Sequence, residues 1–384
     1  MTAHFRFSEA GEDRARPAFS ALCAAALSLS LCAAAFFSTF TALPASAAPI
    51  TIESQGSFAV GGVVIPALEA YDPMHPKTET QDLHTDHAFV RYQIPVNARR
   101  IPLMFLHGHG QFSKSWETTP DGRDGFQSIF LARGWKTFLV DQPRRAGAGK
   151  ASVPGEIPAK SDEAFFFGQF RMGLWPKFNA GSQFPQDAES LNQFFRQMTP
   201  NIAPYDARVN AKALAAAASG DSSAWRATGS KASSPSNPVR YFPFPKGEVS
   251  APIKNSSFFG PFRADEVSPE AFDRLTRLPV LILYGDFIPK TPSAQPHEDY
   301  WRAALQTART WAECVNRHGG DVRVVELPDA GLHGNSHFMF AEKNNIEGAD
   351  LLSKWLAEKG LDAFESEEAE VAGPTAPANQ TQQP

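Results

Sequence analysis

The chain has 384 residues and a formal net charge of -5, with 42% hydrophobic and 20% charged residues. That balance suits a globular protein with a sizeable core, and there is neither the basic excess nor the basic, aromatic-interleaved patch that a nucleic-acid partner requires. Cys23 and Cys32 lie near the N-terminus and leave Cys314 alone in the rest of the chain, so no internal disulfide is expected there and stability must come from packing.

Residues 1–47 read as an export signal. Arg14 and Arg16 give a charged start, residues 21–40 an apolar region, and Ala45-Ser46-Ala47 a small-residue cleavage site. That exit and the break at Pro49 argue against a stable membrane anchor, and Leu31 before Cys32 argues against lipidation. The mature chain is expected to start at Ala48 and to be periplasmic or secreted. Residues 365–384 are acidic and then rich in Pro, Thr, Gln and Asn, too poor in apolar groups to pack, and are expected to be a disordered tail. Residues 48–364 suit one large domain.

In chain order, residues 58–65 and 87–96 are rich in β-branched and aromatic types and read as antiparallel strands. Residues 103–106 are a continuous apolar run, the pattern of a strand covered on both faces. A helix over 126–133 closes at Gly134, and a strand over 136–140 runs into Asp141-Gln142-Pro143. Residues 150–186 break the alternation with an aromatic, Gly-rich stretch that reads as a short cap or cleft wall. A helix is expected at 187–198, a buried strand at 278–284, a helix at 300–317, a strand at 322–327 and a helix at 345–359. Alternating strands and helices of this kind imply an α/β fold with a doubly wound, mostly parallel sheet.

The stretch after residues 103–106 reads His107-Gly108-His109-Gly110-Gln111. Glycines after a strand let the backbone turn tightly and aim its N–H groups at a developing oxyanion. Three more short motifs follow in order: Thr119-Pro120-Asp121-Gly122-Arg123, then Asp141-Gln142-Pro143, then Gly334-Asn335-Ser336-His337. As an ordered set these resemble the α/β-hydrolase superfamily, and most closely a group of exported bacterial esterases that carry HGGGQ and GNSH or GNTH. The resemblance implies hydrolysis of a small-molecule carboxylic ester by a Ser-His-acid triad, with no cofactor. It places the oxyanion hole at Gly108, His109, Gly110 and Gln111 and the general base at His337, with His333 as the other candidate. Asp286, after the 278–284 strand, stands where many hydrolases hold the orienting acid. The esterases it most resembles look as if they use a Glu in an E-P-G-S turn, which this chain lacks. An amidase or lactonase would use the same machinery, and a hydrolase-like protein without activity would keep the same motifs.

Two other patterns carry less. Asp82, His84, Asp86 and His87 imitate a metal cluster, but no later ligands follow with zinc-like spacing, so no metal is expected. Gly147-Ala148-Gly149-Lys150 lacks the remaining residues of a phosphate loop.

The nucleophile is the weak point of the pattern. A nucleophile elbow is G-x-S-x-G between an apolar strand and a helix. The match in place is Gly220-Asp221-Ser222-Ser223-Ala224, which makes Ser222 the candidate nucleophile. Its upstream flank at 213–218 is alanine-rich and reads as helix; downstream, Gly229, Ser233, Ser234 and Pro235 spoil one. The central strand with its elbow and the next strand with its acid turn are thus both missing from residues 213–240. The flanks at 195–200 and 242–248 resemble the family. Read back into codons with serine as TCN and arginine as CGN and the frame moved by two bases, residues 231–240 can encode apolar-apolar-small-apolar and then, with a G-ending serine codon, Glu-Pro-Gly-Ser. The expectation is a frameshifted, shortened stretch. Losing a central strand would remove several buried side chains at roughly 1.5–3 kcal/mol each, against a net stability of about 5–15 kcal/mol. Sequencing the locus is expected to yield the missing strand and acid turn in the alternative frame; an intact frame whose codons cannot encode that peptide overturns the expectation.

Overall fold

A computed structural model of the chain describes residues 49–219, 242–262 and 264–366. The export signal, Ser222, most of the 213–240 window and the tail from residue 367 lie outside the described residues.

Two long strands open the structure, β1 (Ile52–Ile65) and β2 (Leu83–Pro95), paired antiparallel with Phe58 opposite Val90. The third strand, β3 (Leu103–Leu106), leads through α1 (Phe126–Ala132) to β4 (Thr137–Asp141), which lies parallel to β3 and antiparallel to β2. The resulting sheet has the order β1-β2-β4-β3.

Side-chain alternation explains why β3 and β4 carry no polar face. Leu103, Phe105 and Leu139 point to one side, where they meet Phe126, Phe130 and Trp135, and Ala349 and Leu356 of the last helix, α7 (Asn345–Glu358). Met104, Leu106, Phe138 and Val140 point to the other side, against Ala213 and Ala217 of α4 (Ala207–Ser219). Alanines let that helix lie close to the sheet, and the 213–218 segment is helical as its composition implies.

Three short elements come before α4: α2 (Glu163–Gln169), the two-residue pair β5 (Gly173–Leu174) and β6 (Lys177–Phe178), and α3 (Ala188–Arg196). Their aromatic side chains, Phe166, Phe167, Phe184 and Phe194, form a cluster with Met172 and Phe338. α3 begins at an Asp187 cap, whose carboxylate accepts the Ser190 N–H at 2.9 Å.

Beyond α4 the described chain resumes with the short parallel pair β7 (Pro243–Pro245) and β8 (Asp265–Val267), then α5 (Pro269–Thr276). A second parallel pair, β9 (Pro279–Tyr284) and β10 (Asp321–Glu326), is joined by α6 (Pro296–Arg317), which starts earlier than its apolar spacing suggested because Pro296 initiates it. Their core is Ile282, Tyr284, Tyr300, Trp301, Trp311 and Val322.

The α/β class holds, with helices on both faces of the four-stranded sheet. The doubly wound, mostly parallel sheet is not shown: among the described residues β3 pairs with β4 alone, and β9-β10 forms a separate sheet. Also among those residues, no helix is long and apolar enough to cross a membrane.

The acidic and histidine residues at 82–87 divide by burial. Asp82 is exposed and accepts the Ala67 N–H at 2.8 Å. Asp86 is buried, and its two oxygens take the Arg144 Nε and Nη2 at 2.8 and 3.0 Å. This guanidinium, opposed in part by desolvation, holds the Asp86 carboxyl down at about 2. Asp86→Ala leaves Arg144 an uncompensated buried charge and is expected to cost about 3–5 kcal/mol, whereas Asp82→Ala should stay within about 0.5 kcal/mol; chemical denaturation of the two variants checks the contrast.

Candidate active site

The segment following β3 is fixed by the segment following β4. The Gln142 backbone N–H donates to His107 Nε2 at 3.1 Å, and its side-chain amide donates to the His107 carbonyl at 2.7 Å. With Nε2 accepting, the ring proton sits on Nδ1, which donates to the Gly108 carbonyl at 3.0 Å. Burial pushes the His107 pKa down to about 4, with the charge of Arg145 acting in the same direction, so this ring is neutral structure at pH 7.

Arg145 completes the clamp. Its Nη1 donates to the carbonyls of Gly108 and Gln111 at 3.0 and 3.2 Å, and Nε and Nη2 donate to Asn201 Oδ1 at 2.8 and 2.6 Å. Burial lowers its pKa to about 10, still a cation at neutral pH. A trans peptide sets C=O and N–H on opposite sides. Turning the Gly108 carbonyl toward Arg145 therefore aims the His109 N–H away from it. Gly110 has φ +68, and a Cβ there would meet the Phe166 ring at 3.0 Å. The Gly110 carbonyl accepts the Thr199 N–H at 3.0 Å, and the Gln111 N–H closes the turn onto Gly108 at 3.4 Å. The Gln111 side chain is buried: Oε1 accepts from Ser115 Oγ and Gln197 Nε2, while Nε2 has no partner among the described residues.

The other half of the site is the loop after β10. His337 is half-buried, with its ring 4.7 Å from Trp301 and 5.0 Å from Phe170, and its backbone N–H donates to the Phe170 carbonyl at 3.1 Å. Desolvation, with the nearby Arg171 charge, pushes its pKa down to about 3, which keeps the imidazole neutral. Among the described residues the ring has no hydrogen-bond partner. His333 is exposed.

Asp286 does not reach His337. Its carboxylate accepts the Phe287 N–H at 2.8 Å and the Gly334 N–H at 3.0 Å, and its own N–H donates to the Asn335 carbonyl at 2.6 Å. It thus ties the end of β9 to the loop that carries His337. Ser222 lies outside the described residues, and among those described no hydroxyl or thiol is hydrogen-bonded to His337.

Glu342 and Arg171, which sequence reasoning passed over, and Arg123 of the 119–123 motif hold this loop. Glu342 is fully buried, accepts the Ser336 N–H and the Asn335 side-chain amide at 2.7 Å each, and has its pKa raised by burial. Arg123 binds Asp121 and reaches across to Asn345 Oδ1 at 2.7 Å and the Glu342 carbonyl at 3.0 Å. The Thr119–Arg123 motif is therefore a tie between the two loops. Arg171 is buried with φ +63; its Nε donates to the Asp286 carbonyl at 3.0 Å, its guanidinium lies 4.5 Å from the Trp301 ring, and its Nη1 has no partner among the described residues. Glu342 and Arg171 give no local signal, because each acts through contacts distant in sequence. Arg145 stood next to a recognised motif and could have been suspected.

Aromatic rings join the halves. Phe166, which faces Gly110, lies 4.4 Å from Phe170 and stacks on Phe338 at 5.7 Å, and Phe170 in turn faces His337.

No family model matches the chain. A protein described as a probable secreted lipase, from a fungal species, is 25% identical over 323 residues that cover 70% of this chain and 85% of that protein. A solved structure, described as the atomic-resolution structure of a novel bacterial esterase, is similar with a TM-score of 0.61 and 26% identity over 82% of this chain and 98% of that one. This chain therefore has a hydrolase fold of the esterase kind.

A histidine buried as the neutral base makes stability depend on pH. Between the unfolded value near 6.5 and the folded value of about 4, the unfolded chain binds a proton at His107 that the folded one does not. Stability is therefore expected to fall as pH drops through that window, by up to about 1.4 kcal/mol per pH unit for this residue. Denaturation midpoints measured from pH 7 to 4 should show this slope, and His107→Asn should remove its share while the share of His337, whose pKa is also lowered, to about 3, remains.

Proposed function

We propose that the protein is an exported carboxylic ester hydrolase working by acyl transfer. The observation that carries this reading is the placement of the His337 imidazole, free of any hydrogen-bond partner among the described residues, in the aromatic wall that also covers Gly110. A general base must be unprotonated at working pH and stand beside the place where the oxyanion is held. In the proposed reaction a serine hydroxyl, with Ser222 the candidate on this chain, attacks the ester carbonyl as His337 takes its proton. The 108–111 backbone, with the amides that Arg145 turns outward, holds the negative oxygen. The same imidazole then gives its proton to the departing alcohol, and water releases the acid by the reverse sequence. The orienting acid of this reading is Asp286, whose carboxylate would have to turn from the Phe287 and Gly334 amides to the ring, or a lost Glu. The secreted-lipase and esterase relatives support ester substrates and export.

A second reading, a hydrolase-like protein without activity, draws support from the Asp286 carboxylate being taken up by backbone amides and from the lack of a hydrogen-bond partner for the His337 ring among the described residues. Purified protein is expected to turn over p-nitrophenyl butyrate, with His337→Ala lowering kcat by at least about 100-fold. A well-folded wild-type protein with no turnover overturns the hydrolase reading in favour of the second.

A further inference from the structure

Far from His337, at the last turn of α6, three side chains with metal-binding atoms converge. Cys314 and His318 are four residues apart and so lie on one helix face. Glu248 reaches them from the turn after β7, where its N–H donates to the Pro245 carbonyl at 3.1 Å. The Glu248 Oε1 lies 2.7 Å from His318 Nε2 and its Oε2 lies 3.6 Å from Cys314 Sγ; the three ligand atoms all fall within 4.8 Å of one another.

We infer that Cys314, His318 and Glu248 form a binding site for a zinc-like divalent cation. Thiolate with imidazole and carboxylate suits zinc or cobalt, and not magnesium or calcium, which take oxygen alone. With bonds of about 2.3 Å to sulfur and about 2.0 Å to oxygen, a tetrahedral ion sets those two atoms roughly 3.5 Å apart, close to the spacing seen. The scaffold is braced independently of any ion. Trp311 Nε1 donates to the Pro243 carbonyl at 2.9 Å and its ring meets Phe242 at 5.4 Å, which locks the Glu248 turn to the helix. The His318 ring stands edge-on to Phe272 at 5.2 Å. Cys314 is buried, while Glu248 and His318 are exposed, so the thiol closes the inner side and water completes the coordination from outside.

Protons hold the cluster together without metal. Cys314 donates its S–H to Glu248 Oε2 at 3.6 Å. A bound ion takes the place of this thiol proton, which is released to solvent as the thiolate forms. Arg317 donates to Glu248 Oε2 at 3.1 Å but is mostly exposed, so it moves into water when the carboxylate turns to the metal. The site lies about 20 Å along α6 from Trp301, which lines the His337 wall. Its role is to fasten the end of α6 to the β7 turn, and it does not depend on the hydrolase reading.

Titration of the purified full-length protein with cobalt(II) tests this. One equivalent should produce a near-ultraviolet thiolate-to-cobalt absorption band that zinc abolishes, and zinc should raise the thermal midpoint. His318→Gln, at an exposed position that leaves the core intact, should weaken binding by more than about tenfold, and Cys314→Ser should remove the band. A folded wild-type protein with no thiolate band, or a band that persists unchanged in His318→Gln, overturns the assignment.

Discussion

The parallel pairing of β3 with β4 is the interaction on which the rest of the structure depends. Its two faces supply two cores, one shared with α1 and α7 and one with α4. Its carboxyl ends carry the His107 and Gln142 segments, and Gln142 continues the pairing past the end of the strands by bonding His107 through both backbone and side chain. The 107–111 loop thus inherits the rigidity of a sheet buried on both sides. Arg145 then selects which way its peptide planes face. A carbonyl held by a buried cation cannot turn without leaving that charge unsatisfied, a penalty of several kcal/mol.

Much of the remaining polar machinery braces loops. The 119–123 motif, Glu342 and Asp286 all bind backbone groups or side-chain amides of the segment around His337, and its flanking residues Asn335 and Ser336 are buried with it. Buried backbone groups must find partners, and a loop that carries a half-buried histidine away from regular structure has many to satisfy. Motif residues with acidic or basic side chains are thus used mostly as hydrogen-bonding struts. The imidazole they hold touches rings, and its neutral state follows from that apolar setting together with Arg171.

Among the described residues β3 has β4 as its only strand partner, and the β9-β10 pair that precedes and follows α6 stands apart from it. The 108–111 loop and the His337 loop meet through Phe166, Phe170 and Phe338 and not through the sheet. The 108–111 loop and His337 therefore share one aromatic wall, while the Asp286 carboxylate is taken up by the backbone amides of Phe287 and Gly334.

By itself the sequence determined the strongly patterned elements, and it did not mark α2, the short pairs β5-β6 and β7-β8, or α5. The all-apolar run at 103–106 had to be a strand covered on both faces, the alanine-rich 213–218 had to be helix, and the glycines at 108 and 110 had to mark a tight turn, since these follow from local sterics and periodicity. Element ends shifted by a few residues where a proline or a long hairpin extended them. The tertiary structure alone decided that Arg145 orients the 108–111 peptides, that Glu342 and Arg123 hold the His337 loop, that Asp286 faces backbone amides, and that Glu248 meets Cys314 and His318. Each of these is a contact between residues far apart in the chain, and the energy of a buried charge or an unsatisfied amide is set by what surrounds it in space, which no local pattern encodes.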